Sequence, residues 1–382
     1  DKLMARSWDE PFTLYPLIAS AAKLSDDRRT LAFQIDPRAK FQDGHPITAQ
    51  DVKFSYEFLL KNGRPNTRRI FAAVDDVVVS DAQNISFHFR ENSDPEAPMI
   101  VAMMTVLPRH YWEPMGARAA QTSLAPPVAS GPYKITSLDV GRTIILERDE
   151  NYWAKDLPSR RGQFNFDRVR VDFYRDDTAA LLAFKAGAHD FRRETDPRRW
   201  AESYDVPGIK KAEFKNSAPA PLRAFAFNTR REIFKDIRVR EALHRVFDFE
   251  WLNKNLFQNA YARSESIFPR SPLADSKYRA PRSDGSGYNR DNARLAQSLL
   301  SQAGWTLQDG KLQNFKFEIL LNNPADEKIA LAYQRSLKRL GITATIRTID
   351  AAQFAGRLEQ FDFDMTAVQW ASTLSPGSEQ NV

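Results

Sequence analysis

The stretch FQDGHPITAQDVKFSYEFLL, residues 41–60, constrains the fold of this chain more than any other. Asp43-Gly44 is a tight-turn pair, and Pro46 lacks a backbone donor, so no regular ladder runs through it. Thr48 then stands as a helix N-cap with Asp51 three residues on, the spacing of a reciprocal capping pair. Val52, Tyr56, Leu59 and Leu60 fall on one face of the helix that follows, and Asn62-Gly63 supplies its stop. The segment therefore reads as a strand end, a turn and an amphipathic helix laid on a core.

The same periodicities place elements elsewhere. Leu31, Phe33 and Ile35 alternate with less apolar neighbours, as do Ile85, Phe87 and Phe89, which predicts half-buried strands. Residues 144–147 and 169–173 read alike. Helices are expected over 177–186, 237–247, 292–303 and 326–340, bounded by capping aspartates or by Gly187, Gly304 and Gly341. The last third alternates: strand 315–321, helix 326–340, strand 342–349, helix 351–359, strand 364–368. That rhythm predicts a partly parallel α/β sheet. Residues 279–290, RAPRSDGSGYNR, have loop chemistry.

Composition excludes several classes. At 382 residues, 42% hydrophobic and 27% charged, the chain has material for two or three cored units, and bulk disorder is excluded. The net charge of +6 comes from scattered arginine pairs with acids nearby, such as Arg68-Arg69 and Arg198-Arg199. No segment interleaves bases with stacking aromatics, so nucleic acid is not an expected partner. With no cysteine, disulfides and thiolate metal sites are impossible. The histidines at 45, 88, 110, 189 and 244 show no metal-ligand spacing, so neither a metal site nor a cofactor is expected. The loop Asp284-Gly285-Ser286-Gly287 lacks the frame of a nucleophile turn. Acid pairs such as Asp26-Asp27, Asp75-Asp76 and Asp362/Asp364 are candidates for general acid-base work in a carboxylate-dependent hydrolase, but in strand-turn contexts such pairs are turn formers and solvated edges. No catalytic constellation emerges. The most apolar run, 97–107, contains Pro98 and falls short of the ~20 residues that span a bilayer.

As a string, residues 41–60 resemble the signature of the extracellular solute-binding proteins of peptide-type ABC importers, family 5. Further blocks follow in family order: Ser130-Gly131-Pro132-Tyr133, Glu147-Arg148 with Asn151-Tyr152-Trp153, and Ala183-Phe184-Lys185-Ala186-Gly187 with Asp190-Phe191. Phe227-Asn228-Thr229, Phe234-Lys235-Asp236, Arg238-Val239-Arg240-Glu241-Ala242-Leu243 and Ala303-Gly304-Trp305 continue the series. Asp156-Leu157-Pro158, Asn165-Phe166-Asp167 and Phe247-Asp248-Phe249-Glu250-Trp251 resemble the Yej-type branch, associated with oligopeptides, peptide-nucleotide microcins and murein peptides.

The resemblance implies an α/β fold of the periplasmic binding protein class II kind (cluster C): two lobes with a central cleft and an extra subdomain in lobe I. It places the small subdomain of lobe I at 1–127, its sheet subdomain at 128–227 and lobe II at 228–382. Family members extend beyond both ends of this sequence, so the chain is expected to be the middle of a longer protein, with parts of lobe I outside it. Residues 279–290 are also shorter than in the Yej-type branch.

The implied role is capture of oligopeptides in the periplasm by a monomer, with delivery to ABC permease subunits driven by a cytoplasmic ATPase. A nickel- or haem-binding role, known in the same family, is the alternative. Six residues match ligand-contacting positions: Asn228 at the crossing between lobes, Trp370 at the end of a strand, Arg192 and Glu194 after Asp190-Phe191, and Glu379 and Gln380 in a cleft-edge loop. Thr195 and Ser378 stand where the branch usually has asparagine. For Trp370 a core position is the competing expectation, and for Asn228 a structural one.

Overall fold

Strands and helices distribute into two units with separate hydrophobic cores, residues 1–189 with 373–382, and residues 190–372. The computed structural model describes the chain apart from residues 216–218, 220, 269–272, 276, 310, 375–376 and 378–382.

In the first unit a short hairpin, β1 (Met4–Arg6) and β2 (Leu14–Pro16), precedes β3 (Ala19–Leu24) and β4 (Thr30–Ile35). Helices α1 (Ala49–Asn62) and α2 (Pro65–Phe71) follow, then β5 (Val74–Val79) and β6 (Asn84–Phe89). The sheet has the order β3-β4-β6-β5 and is antiparallel throughout. Leu31, Phe33, Ile35, Ile85, Phe87 and Phe89 are all buried, so the period-two pattern points one face into the core. Two short helices, α3 (Ala97–Ala102) and α4 (Arg109–Trp112), come next.

The cap expected at α1 is present. Asp51 Oδ2 accepts from the Thr48 backbone N–H at 2.9 Å and from its hydroxyl at 2.8 Å. The other carboxylate oxygen accepts from the Arg109 backbone N–H at 3.0 Å, so one side chain starts α1 and anchors α4. Tyr56 is buried from α1, stacked on Phe71 and edge-on to Phe87, each at 5.6 Å. Gly63 ends the helix for want of space: a Cβ there would lie 2.4 Å from the Leu59 carbonyl oxygen.

A second, three-stranded antiparallel sheet is built from β7 (Tyr133–Asp139), β8 (Thr143–Arg148) and β9 (Arg168–Asp172), in that order. Helix α5 (Asp177–Lys185) follows, with Asp176 accepting from the Ala179 N–H at 2.8 Å as its N-cap.

The second unit contains α6 (Pro197–Glu202), β10 (Leu222–Phe227), α7 (Ile237–Arg245), α8 (Phe249–Leu256) and α9 (Arg290–Gln302). After the hairpin β11 (Leu307–Gln308) and β12 (Lys311–Leu312) come β13 (Lys316–Leu321), α10 (Pro324–Arg339), β14 (Thr343–Thr348), α11 (Ala351–Glu359) and β15 (Met365–Trp370). The sheet order is β10-β15-β13-β14; β13 is parallel to both neighbours and β10 is antiparallel to β15. The partly parallel sheet read from the alternation is therefore present. Leu243, Leu300, Phe315, Ile319 and Leu337 are fully buried at its core.

Strand β10, which precedes the expected crossing at Asn228, pairs along its whole length with β15, from Leu222 opposite Trp370 to Phe227 opposite Met365. Backbone pairing of that extent makes β10 part of the second core, in the unit that begins at residue 190.

Candidate functional site

Four of the six ligand-site candidates lie in the second unit and are described; Glu379 and Gln380 lie outside the described residues. Asn228 follows β10 and is buried. Its amide nitrogen donates to the carbonyls of Phe361 and Phe363, at 2.9 and 2.8 Å, and its oxygen accepts from the Arg230 N–H at 3.1 Å. The neighbouring arginines strengthen the same joint. The Arg230 guanidinium lies 3.6 Å from the centroid of the Phe361 ring, and Arg231 pairs with Asp362 and Asp364, each at 3.1 Å. Phe361 is held at a φ of +54°, a region bulky side chains rarely adopt, by this ring of contacts. Asn228 thus positions the turn between α11 and β15, and both of its amide donors are spent there. The same arginine contacts engage Asp362 and Asp364, one of the acid pairs named above.

Arg192 and Glu194 meet each other. The Arg192 Nη2 lies 3.4 Å from Glu194 Oε2, the Arg192 Nε donates to the Tyr204 hydroxyl at 2.8 Å, and that hydroxyl donates to Glu194 at 2.5 Å. The Glu194 side chain is 4% exposed. Burial opposes its ionisation, but hydrogen bonds from Tyr204 and from the backbone N–H groups of Asp196 and Thr195 prevail and hold its pKa below the usual carboxylate value. The pair braces the start of the second unit.

Trp370 ends β15 and is 38% exposed, so it is not a core tryptophan. It closes the register opposite Leu222 of β10, a strand at the edge of its sheet. Among the described residues no strand pairs with the outer side of β10. Trp370 is thus an exposed indole on the strand next to the edge strand of its sheet. A pocket of about 150 Å³ in the same unit, lined by Trp251, Gly287, Tyr333, Arg335 and Arg339 among others, is below the size of ordinary ligand sites and far too small for an oligopeptide.

The first unit holds a grouping that sequence spacing did not reveal. His45 and His110 stack at 4.0 Å between ring centroids, and both face the Asp43 carboxylate. Though the histidines show no ligand spacing along the chain, these two meet because the turn after β4 packs against α4. Burial of Asp43 works against ionisation, but hydrogen bonds from His110 and His45 outweigh it and lower the carboxylate pKa. Among the described residues, no helix is long and apolar enough to cross a membrane.

The profile of the bacterial extracellular solute-binding proteins, family 5 Middle, matches residues 13–380. The peptidoglycan-binding protein YepA of Agrobacterium fabrum is 36% identical, the alignment covering 100% of this chain and 69% of YepA. YejA of Escherichia coli K12 is also 36% identical, over 100% of this chain and 68% of its own length. The chain thus spans about two thirds of these relatives. Among solved structures, DppA of Helicobacter pylori in complex with the peptide STSA superposes with a TM-score of 0.80 at 19% identity, covering 98% of this chain and 73% of that one. That likeness carries the fold, which is the mixed α/β fold of the periplasmic binding proteins. On the profile match and the identity to YejA and YepA over the whole of this chain, the chain belongs to the bacterial extracellular solute-binding proteins, family 5.

Proposed function

We propose that this protein captures oligopeptides in the periplasm, murein-derived peptides foremost, and delivers them as a monomer to an ABC permease powered by a cytoplasmic ATPase. The observation that carries the reading is the 36% identity over the whole chain to a relative named for peptidoglycan binding. The second unit supplies fitting chemistry. The open edge of β10 presents backbone groups that an extended peptide pairs with, and Trp370 offers an apolar platform at its end. The role is binding, with no bond made or broken. Arg192 and Asn228 serve it by holding loops, since their side chains are engaged within the protein. Glu379 and Gln380 retain the ligand-edge role that the family resemblance gives them.

Calorimetry of the full-length protein against tri- to octapeptides, including murein tripeptides, tests this. Binding at micromolar affinity or tighter is expected, about −8 kcal/mol or stronger. No heat across the peptide series, with a chelated metal or a sugar giving saturable binding, overturns it.

A further inference from the structure

Asp43 and His45 sit on the tight turn after β4, and His110 sits on α4, 67 residues beyond Asp43. None of the three belongs to the second unit, where the four described peptide-binding candidates lie. We propose that they form a binding site for a first-row divalent transition metal of the zinc, nickel or copper class.

The distances suit an ion. His110 Nε2 lies 2.6 Å from Asp43 Oδ2, His45 Nδ1 lies 3.2 Å from Asp43 Oδ1, and the ligand atoms of all three residues fall within 4.8 Å of one another. A tetrahedral ion with bonds of about 2.1 Å holds its ligands about 3.4 Å apart, inside that range. The side chains are 59% (His45), 29% (Asp43) and 33% (His110) exposed, so small rotations about χ angles are open to them and water can complete the coordination sphere.

The frame beneath the ligands is rigid. The Phe41 N–H donates to the His45 carbonyl at 2.9 Å and the Gly44 N–H to the Phe41 carbonyl at 3.0 Å, with Gly44 at a φ of +91°. Helix α4 is fixed by the Arg109 N–H on Asp51, and the Phe41 ring packs edge-on against His110 at 5.6 Å. The donor set decides the class of metal. Two imidazole nitrogens and one carboxylate suit zinc, nickel and copper, whereas calcium and magnesium take oxygen ligands. A bound ion ties the turn after β4 to α4 and so stabilises the first unit as metal concentration rises.

Titration of tag-free full-length protein with Zn²⁺ and with Ni²⁺ alone, without peptide, provides the test. One equivalent binding at micromolar dissociation constant is expected, weakened about tenfold or more by His45→Ala and by His110→Ala. Because all three side chains are exposed, the variants are expected to melt with the metal-free protein. Electron paramagnetic resonance of the Cu²⁺-loaded wild type gives an independent readout: coupling to two imidazole nitrogens, reduced to one in either variant. Unchanged affinity in both variants, absence of saturable binding below about 100 µM, or a Cu²⁺ spectrum without histidine nitrogen each overturns the proposal.

Discussion

The Tyr333 hydroxyl donates at 2.8 Å to the backbone carbonyl of Leu243, joining α10 to the last turn of α7. Carbonyls in the last turn of a helix have no partner within it, so the phenol acts as a cap supplied from another element. Burial raises its pKa, and the hydroxyl keeps its proton. The ring is stacked on Phe225 at 6.0 Å and lies edge-on to Phe247 at 5.2 Å. Tyr333→Phe keeps the packing and strands the carbonyl, and is expected to cost about 1–2 kcal/mol in urea unfolding. A stability equal to wild type contradicts this assignment.

His244 makes stability depend on pH. Burial first, then the charges of Arg263 and Arg245, lower its pKa from 6.5 to about 4, with Glu241 acting the other way. Arg263 Nη2 lies 3.2 Å from His244 Nε2, an arrangement that needs a neutral acceptor ring. Between the two pKa values the unfolded chain binds a proton that the folded one refuses. The contribution is therefore full above pH 6.5 and lost as pH falls towards 4, amounting to about 3 kcal/mol. His244→Gln should show a correspondingly smaller loss between pH 7.5 and 4.5 in chemical denaturation. Parallel losses in both proteins would count against it.

Asn228→Ala removes three hydrogen bonds from the turn between α11 and β15. A loss of about 2–4 kcal/mol in stability is expected. Peptide affinity, measured at a temperature where the variant is folded, should change little. A variant of wild-type stability that no longer binds peptide would instead place Asn228 on the ligand.

Trp370→Ala tests the opposite case. Its exposed ring should contribute little to folding, and the melting temperature is expected to stay near that of wild type. If the indole is a peptide platform, affinity falls by about 1–3 kcal/mol in the same preparation. A pronounced fall in melting temperature with affinity intact contradicts the proposal.

Local chemistry was legible in the chain. The Thr48–Asp51 cap, the alternation in β4 and β6, and the β13-α10-β14-α11-β15 series all depend on neighbours within a few residues, and each forms where the periodicities place it. The strand that ends at Trp370 is legible for the same reason. Tertiary structure alone decided which elements pair and which side chains meet. Strand β10 has one apolar pattern whichever sheet receives it, and only its register with β15 puts it in the second unit. Arg192 and Glu194 read as open charges until Tyr204 and each other close them, and Asn228 reads as a contact residue until the carbonyls of Phe361 and Phe363 take its donors. His45 and His110 share no local periodicity, because the packing of a turn on a distant helix brings them together. Spacing along a chain specifies the faces of helices and strands, whereas contacts between faces depend on the whole core.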